Sequence, residues 1–192
     1  HYFLVGNHES EENDLQYSST KVLEGNNRYI IDKPSLYQIL DVELAFLPYI
    51  VESNKQPLES YFPQNGLKLP RILFSHNDIL GLQMGPVVSK IGFSIEEIEA
   101  NCVCCLNGHL HNGQAVSSKV INLGNLTGKD FGEDALRYAH KVMIFDTDNF
   151  SFQSFENPHA FNFYKIPFKK KQEILDKYHI SFFSIEDTTP KL

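Results

Sequence analysis

The sequence predicts an α/β fold, and three observations carry that expectation. Short apolar runs recur along the chain, each of strand length and each closed by Gly, Pro, Asn or Ser. Stretches with helix-type ends lie between them, so strands outnumber helices but alternate with them. The composition is that of a packed domain, 42% hydrophobic and 21% charged over 192 residues, with no low-complexity tract and no repeat of solenoid length.

In chain order, residues 2–5 read as a short buried strand ended by Gly6 and Asn7. Val22 and Leu23 close a short helix, for which Gly25 is the expected C-terminal cap. Residues 28–32 form a strand stopped by Pro34, and residues 36–40 with 42–47 suit a hairpin. Residues 71–74 are a further apolar strand. Residues 94–100 read as a helix, because Ser94 followed by Glu97 is a capping-box pair. Residues 102–106 are a wholly apolar strand, and 114–116, 120–123 and 142–146 follow it as shorter ones. Residues 146–149 have turn composition. In 151–155 Phe alternates with polar residues, the pattern of a half-buried strand. Residues 169–178 read as a helix and 180–185 as extended chain. The run Lys169, Lys170, Lys171 suits either a solvated helix start or contact with phosphates.

Charge and cysteine usage narrow the function classes. Seventeen basic against 24 acidic residues leave a formal net charge of −7, so the overall field does not draw this segment to nucleic acid. Bound divalent ions would add local positive charge outside that count. No apolar run is long enough to span a membrane and no secretory pattern is present, so no membrane partner is expected. The cysteines are Cys102, Cys104 and Cys105. Neighbours on one strand are poorly placed to bridge, so reduced thiols and a cytoplasmic setting are expected. Their spacing matches no zinc pattern, and they read as small apolar strand residues. The first residue is His1 and a buried strand begins at once, so the chain is expected to start inside a domain.

One pattern recurs three times: an apolar strand, a small or polar residue, then histidine. The first strand runs into Gly6-Asn7-His8-Glu9, the strand at 71–74 into Ser75-His76-Asn77-Asp78, and the strand at 102–106 into Asn107-Gly108-His109-Leu110-His111. The C-terminal ends of strands in layered α/β folds converge on one rim, where ligands bind. Four histidines and an asparagine distant in sequence are therefore expected to meet there. Imidazole nitrogens suit zinc, iron or manganese, and an asparagine amide oxygen adds a hard neutral donor. Lone histidines are ordinarily surface or satisfied core residues, and His1, His140, His159 and His179 are read that way.

In this order, these motifs resemble those of the calcineurin-like metallophosphoesterases. Within that superfamily the chain is most similar to SbcD-type DNA exonuclease subunits of phage and bacterial recombination and repair. The likeness spans residues 1–166 and takes in softer features: the strand and Asp32-Lys33-Pro34 turn, residues 44–50, and the loop from Gly124-Asn125-Leu126-Thr127 to Phe131-Gly132-Glu133. The resemblance implies a four-layer α/β/β/α sandwich, two packed sheets flanked by helices. Residues 1–166 would be the C-terminal part of that domain, its N-terminal portion missing, and 167–192 a helix–strand extension.

The resemblance also implies two divalent metal ions, manganese first and zinc or iron as alternatives. Asn7, His76 and His109 would ligate one ion and His111 the other. His8 would be the catalytic histidine beside them, and Glu9 would orient its loop. Asn125 and Lys129 would face substrate. The family's Asp-x-His and Gly-Asp motifs do not occur in these 192 residues, so weak or single metal binding is expected of this segment. The implied function is phosphoester hydrolysis with DNA as substrate, an SbcC-type ATPase as partner, and a homodimer as assembly. A small-substrate phosphodiesterase or phosphoprotein phosphatase of the same fold, and a non-catalytic scaffold, are the competing readings.

Overall fold

The computed structural model describes residues 1–11, 14–63, 69–84, 87–130, 133, 135–165 and 168–178. Its strands are β1 (Tyr2–Leu4), β2 (Ser10–Glu11), β3 (Asp14–Ser18), β4 (Tyr29–Ile31), β5 (Ser35–Ile39), β6 (Val42–Leu47) and β7 (Arg71–Ser75). They continue as β8 (Gln83–Met84), β9 (Val87–Val88), β10 (Cys104–Asn107), β11 (Gln114–Ala115), β12 (Val120–Asn122), β13 (Lys141–Asp146) and β14 (Ser151–Glu156). The α-helices are α1 (Leu58–Tyr61), α2 (Ile95–Asn101) and α3 (Lys171–Tyr178).

Six strands form the central sheet in the order β11-β12-β10-β7-β6-β5. The inner four, β12, β10, β7 and β6, run parallel, and β11 and β5 pair antiparallel at the two edges. Register turns the side-chain pattern into rows across the sheet. Ala45, Leu73, Cys105 and Val120 stand side by side and are 2% exposed or less. They face Leu58 of α1, Ile98 of α2, and Phe62, Ile79, Leu82 and Phe93 from the connections. Burying a side chain of Leu or Phe size contributes about 1.5–3 kcal/mol, so this row anchors the fold. The next row, Phe46, Phe74, Leu106 and Ile121, points to the opposite face. There Leu106 and Ile121 pack with Met143 and Phe145 of β13, while Phe46 stacks on Phe74 and on Tyr2 of β1. Strands buried on both faces read as continuous apolar runs rather than alternations, which is why β7 and β10 were legible.

The third row, where the parallel strands end, is different. It consists of Leu47, Ser75, Asn107 and Asn122, buried but largely polar. This row carries the turns that hold the histidines.

The mixed α/β class therefore stands, with few helices and one large sheet. The β5–β6 hairpin forms as expected, with Leu40 at φ 53 in its turn. Four local expectations are corrected. Residues 19–23 make a 3-10 turn that ends on extended Glu24, so Gly25 is not a left-handed cap. Ser94 caps α2 by accepting the Glu97 N–H at 3.1 Å, but Glu97 reaches across to the Leu58 N–H at 2.6 Å instead of closing the box. The long-range bond satisfies a backbone N–H in the first turn of α1. Cys102 belongs to the end of α2, its N–H bonded to the Ile98 carbonyl, and β10 starts at Cys104. Finally, every residue of β14 is exposed, and among the described residues it is Met143 and Phe145 of β13 that pack on the sheet.

Arg71 is buried at the start of β7, where it pairs with Glu43 and donates to the Phe62 carbonyl at 3.1 Å. The three cysteines are free and buried, and burial pushes the Cys102 thiol up to about 12 and that of Cys104 to about 11. Among the described residues no helix is long and apolar enough to cross a membrane. The boundary drawn between 166 and 167 and the extended stretch at 180–185 lie outside the described residues. Lys169 and Lys170 are exposed at the 3-10 turn leading into α3.

Candidate functional site

Three strand ends deliver the histidines. β7 hands over to His76, whose N–H donates to the Leu47 carbonyl at 3.1 Å. β10 hands over to Gly108, whose N–H donates to the Ser75 carbonyl at 2.9 Å and starts the His109–His111 turn. β1 hands over to Val5, which bonds to Ile31 on one side and Tyr49 on the other. Gly6 then crosses the His76 ring so closely that a Cβ there would lie 2.5 Å from His76 Nε2. A glycine is needed for that approach, and it brings Asn7 and His8 to the same rim. Glu9 keeps the turn closed, its Oε2 accepting the Gly6 N–H at 2.9 Å.

Three asparagines that sequence reasoning did not single out fasten these turns together. Asn77, Asn107 and Asn122 are 2% exposed or less. The Asn77 N–H donates to Asn107 Oδ1 at 3.1 Å, and Asn107 Nδ2 donates to Asn122 Oδ1 at 3.1 Å. Asn122 Nδ2 donates in turn to the Leu110 and Asn112 carbonyls at 2.7 and 2.9 Å. Asn77 also accepts the Ile50 N–H and donates to the carbonyls of Leu47 and Pro48. The ladder runs from the β6 exit to the His109–His111 turn and satisfies backbone groups that the ending sheet leaves open. Asparagine reads as a turn residue in sequence, so a signal for this role exists only in its placement directly at three strand ends.

The rings themselves are close. His76 and His109 meet edge to face with centroids 5.2 Å apart, and Tyr49 stacks on the other side of His109 at 5.7 Å. The His76 imidazole is held well down, to about 4, first by burial and then by the positive charges that His109, His8 and His111 would carry. At neutral pH it is a neutral lone-pair donor. His109 Nε2 lies 3.3 Å from Asp78 Oδ1, while His109 Nδ1 is buried with no hydrogen-bond partner. Asn7 Oδ1 is likewise buried and without a partner. His111 Nδ1 lies 2.9 Å from Oε1 of buried Glu133. Asp78 and Glu133 were not among the expected site residues. Their roles depend on contacts that chain separation hides.

A cleft of about 520 Å³ opens over this rim, lined by His8, His109, His111, Asp130, Glu133 and Lys165 among others. His8 is exposed at its edge. The structure thus brings His8, His76, His109 and His111 together with Asn7. The other two expected residues both contact Glu133, Lys129 through its backbone while its side chain is exposed. Asn125 Nδ2 is bonded to Glu133 at 2.9 Å, and the Lys129 N–H to Glu133 Oε2 at 3.1 Å, so both brace the carboxylate. His140 is a satisfied core histidine, its Nδ1 beside the Asn125 carbonyl at 3.2 Å.

Among the described residues no three of His, Cys, Asp and Glu stand as a ready metal-holding group. The candidate set includes an amide instead. Buried polar atoms normally have partners; among the described residues Asn7 Oδ1 and His109 Nδ1 have none, nor have the side-chain oxygens of Asn112 and Asn125, and unpartnered acceptors close to the neutral His76 ring are what an ion-binding face would leave. By that test the donors present fit one divalent ion, with Asn7 Oδ1, His76 and His109 Nδ1 as its ligands. His111, backed by a carboxylate, fits as a ligand of another.

No protein-family model matches the chain. Over 152 residues the chain is 23% identical to a protein of Invertebrate iridescent virus 3 named "Putative phosphoesterase 078R". The alignment takes in 74% of this chain and 42% of that protein, so the chain spans less than half of its relative's length.

Proposed function

We propose that this chain carries the histidine face of a metal-dependent phosphoester hydrolase of the calcineurin-like type. The observation that carries the reading is the meeting of Asn7, His76 and His109 at three strand ends, with Asn7 Oδ1 and His109 Nδ1 buried and, among the described residues, without a hydrogen-bond partner. In this reading the six-stranded sheet is one of the two sheets of a four-layer sandwich. Asn7, His76 and His109 hold one divalent ion, manganese first among candidates, and His111 contributes to a second. When bound, such ions polarise a phosphoryl oxygen and lower the pKa of a coordinated water. The chain's own residues do the rest. His76 stays neutral, so it need lose no proton before binding an ion. His8, exposed at the cleft edge, stabilises charge on the phosphoryl or leaving oxygen.

The sequence resemblance puts linear duplex DNA first among substrates and an SbcC-type ATPase first among partners. A small phosphodiester and a phosphoprotein are the alternatives to set beside DNA. The test is hydrolysis of bis(p-nitrophenyl) phosphate, linear duplex DNA and a phosphopeptide. It is run with this chain and with the full-length gene product, in manganese, zinc and iron. Manganese binding by the chain and turnover by the full-length protein are expected. The substrate cut fastest assigns the class. If neither protein hydrolyses any substrate with any of the metals, the enzyme reading falls and the scaffold reading replaces it.

A further inference from the structure

We infer that Glu133 is a positioning residue for His111, setting which of its two nitrogens faces the cleft. The inference rests on the reading of His111 as a metal ligand. A carboxylate is rarely buried without partners, and Glu133 is 5% exposed. Among the described residues three groups donate to it. Oε1 accepts from His111 Nδ1 at 2.9 Å and from Asn125 Nδ2 at 2.9 Å, and Oε2 accepts the Lys129 N–H at 3.1 Å. A carboxylate oxygen only accepts, so Nδ1 of His111 carries a proton, and in the neutral ring the lone pair is then on Nε2. A carboxylate behind a ligating imidazole fixes the ring and raises its basicity.

The loop that carries Glu133 grips His111 a second time. The Asn125 N–H donates to the His111 carbonyl at 3.0 Å. Gly124, at φ +77, makes that approach: a Cβ there would lie 2.6 Å from the Gly113 nitrogen and 2.8 Å from the His111 carbonyl oxygen. Asn125 therefore touches both the backbone of His111 and the carboxylate that orients its ring. On the other side of the cleft Asp78 stands beside His109 Nε2, and there Nδ1 is the bare nitrogen.

The test reads the tautomer and the metal separately. Long-range nitrogen–proton correlation spectra of the metal-free chain should show His111 as the Nδ1–H form, shifting toward Nε2–H in Glu133→Ala. An unchanged tautomer in a folded Glu133→Ala, or an Nε2–H form in the wild type, overturns the inference whether or not metal binds. In manganese titrations Glu133→Gln, which keeps the side-chain volume, should bind about 10–100-fold more weakly than wild type. Equal affinity at a manganese site that His111→Ala weakens overturns it, and this arm decides should Glu133→Ala not fold. A wild-type chain that shows the Nδ1–H form but binds no manganese sinks the metal reading of His111 and leaves the Glu133 pairing standing.

Discussion

The two halves of the histidine cluster are built by different means. The inner half, Asn7, His76 and His109, sits where parallel strands stop, and the strand register places it. Its partners are the asparagine ladder, the Gly6 backbone and Asp78, all fixed by the sheet or by residues adjacent to it. The outer half, His8 and His111, sits on turns. His8 is exposed, and His111 takes its orientation from Glu133, 22 residues away on a loop. The difference teaches that one site can couple to global stability through one half and remain adjustable through the other.

The comparison breaks first at Asn77. Its side chain accepts the Ile50 N–H at 2.7 Å and donates to the Leu47 and Pro48 carbonyls and to Ser75 Oγ. Asn77→Ala leaves several buried polar groups without partners, each costing about 1–3 kcal/mol. A loss of about 4 kcal/mol in urea denaturation is expected, large against typical domain stability. A loss under about 1 kcal/mol would mean that strand register alone holds the inner half.

What was legible in the sequence follows the same division. The strands that carry His76 and His109 were readable because they are buried on both faces and therefore continuously apolar. The histidine turns were readable because Gly and Asn punctuate them. Local rules failed where distant contacts compete. Glu97 gave up its reciprocal cap for Leu58, 39 residues away. Ser151–Glu156 alternates as a half-buried strand would, yet every residue of it is exposed beside its partner β13. Asp78, Glu133 and the asparagine ladder act across the sheet, and periodicity carries no signal for such pairs.

A smaller effect is expected from pH. The folded His76 imidazole titrates near 4, lowered chiefly by burial and then by its histidine neighbours, against 6.5 for the free side chain. Between those values the unfolded chain binds the extra proton. The stability in question is intact above pH 6.5 and is lost as pH falls toward 4. The ceiling is about 3 kcal/mol, reduced by partial solvent access. Urea titrations at pH 7, 5.5 and 4.5 should show wild type losing more stability than His76→Asn over that window. Parallel pH profiles would remove His76 from the buried inner half.

The smallest effect on the fold, and the sharpest test of the division, belongs to His8. Its ring is exposed and no strand register depends on it, so His8→Ala should change stability by no more than about 0.5 kcal/mol. Manganese content should be unchanged, since His8 is not among the proposed ligands. In the full-length protein turnover should nonetheless fall by about 100-fold or more, as expected for a group that acts on developing charge. The three readouts separate the roles cleanly. Lost manganese would move His8 into the ligand set. Lost stability would make it part of the inner half. Unchanged turnover would leave the cleft edge without a catalytic group and shift that role to the residues facing His8 across the cleft.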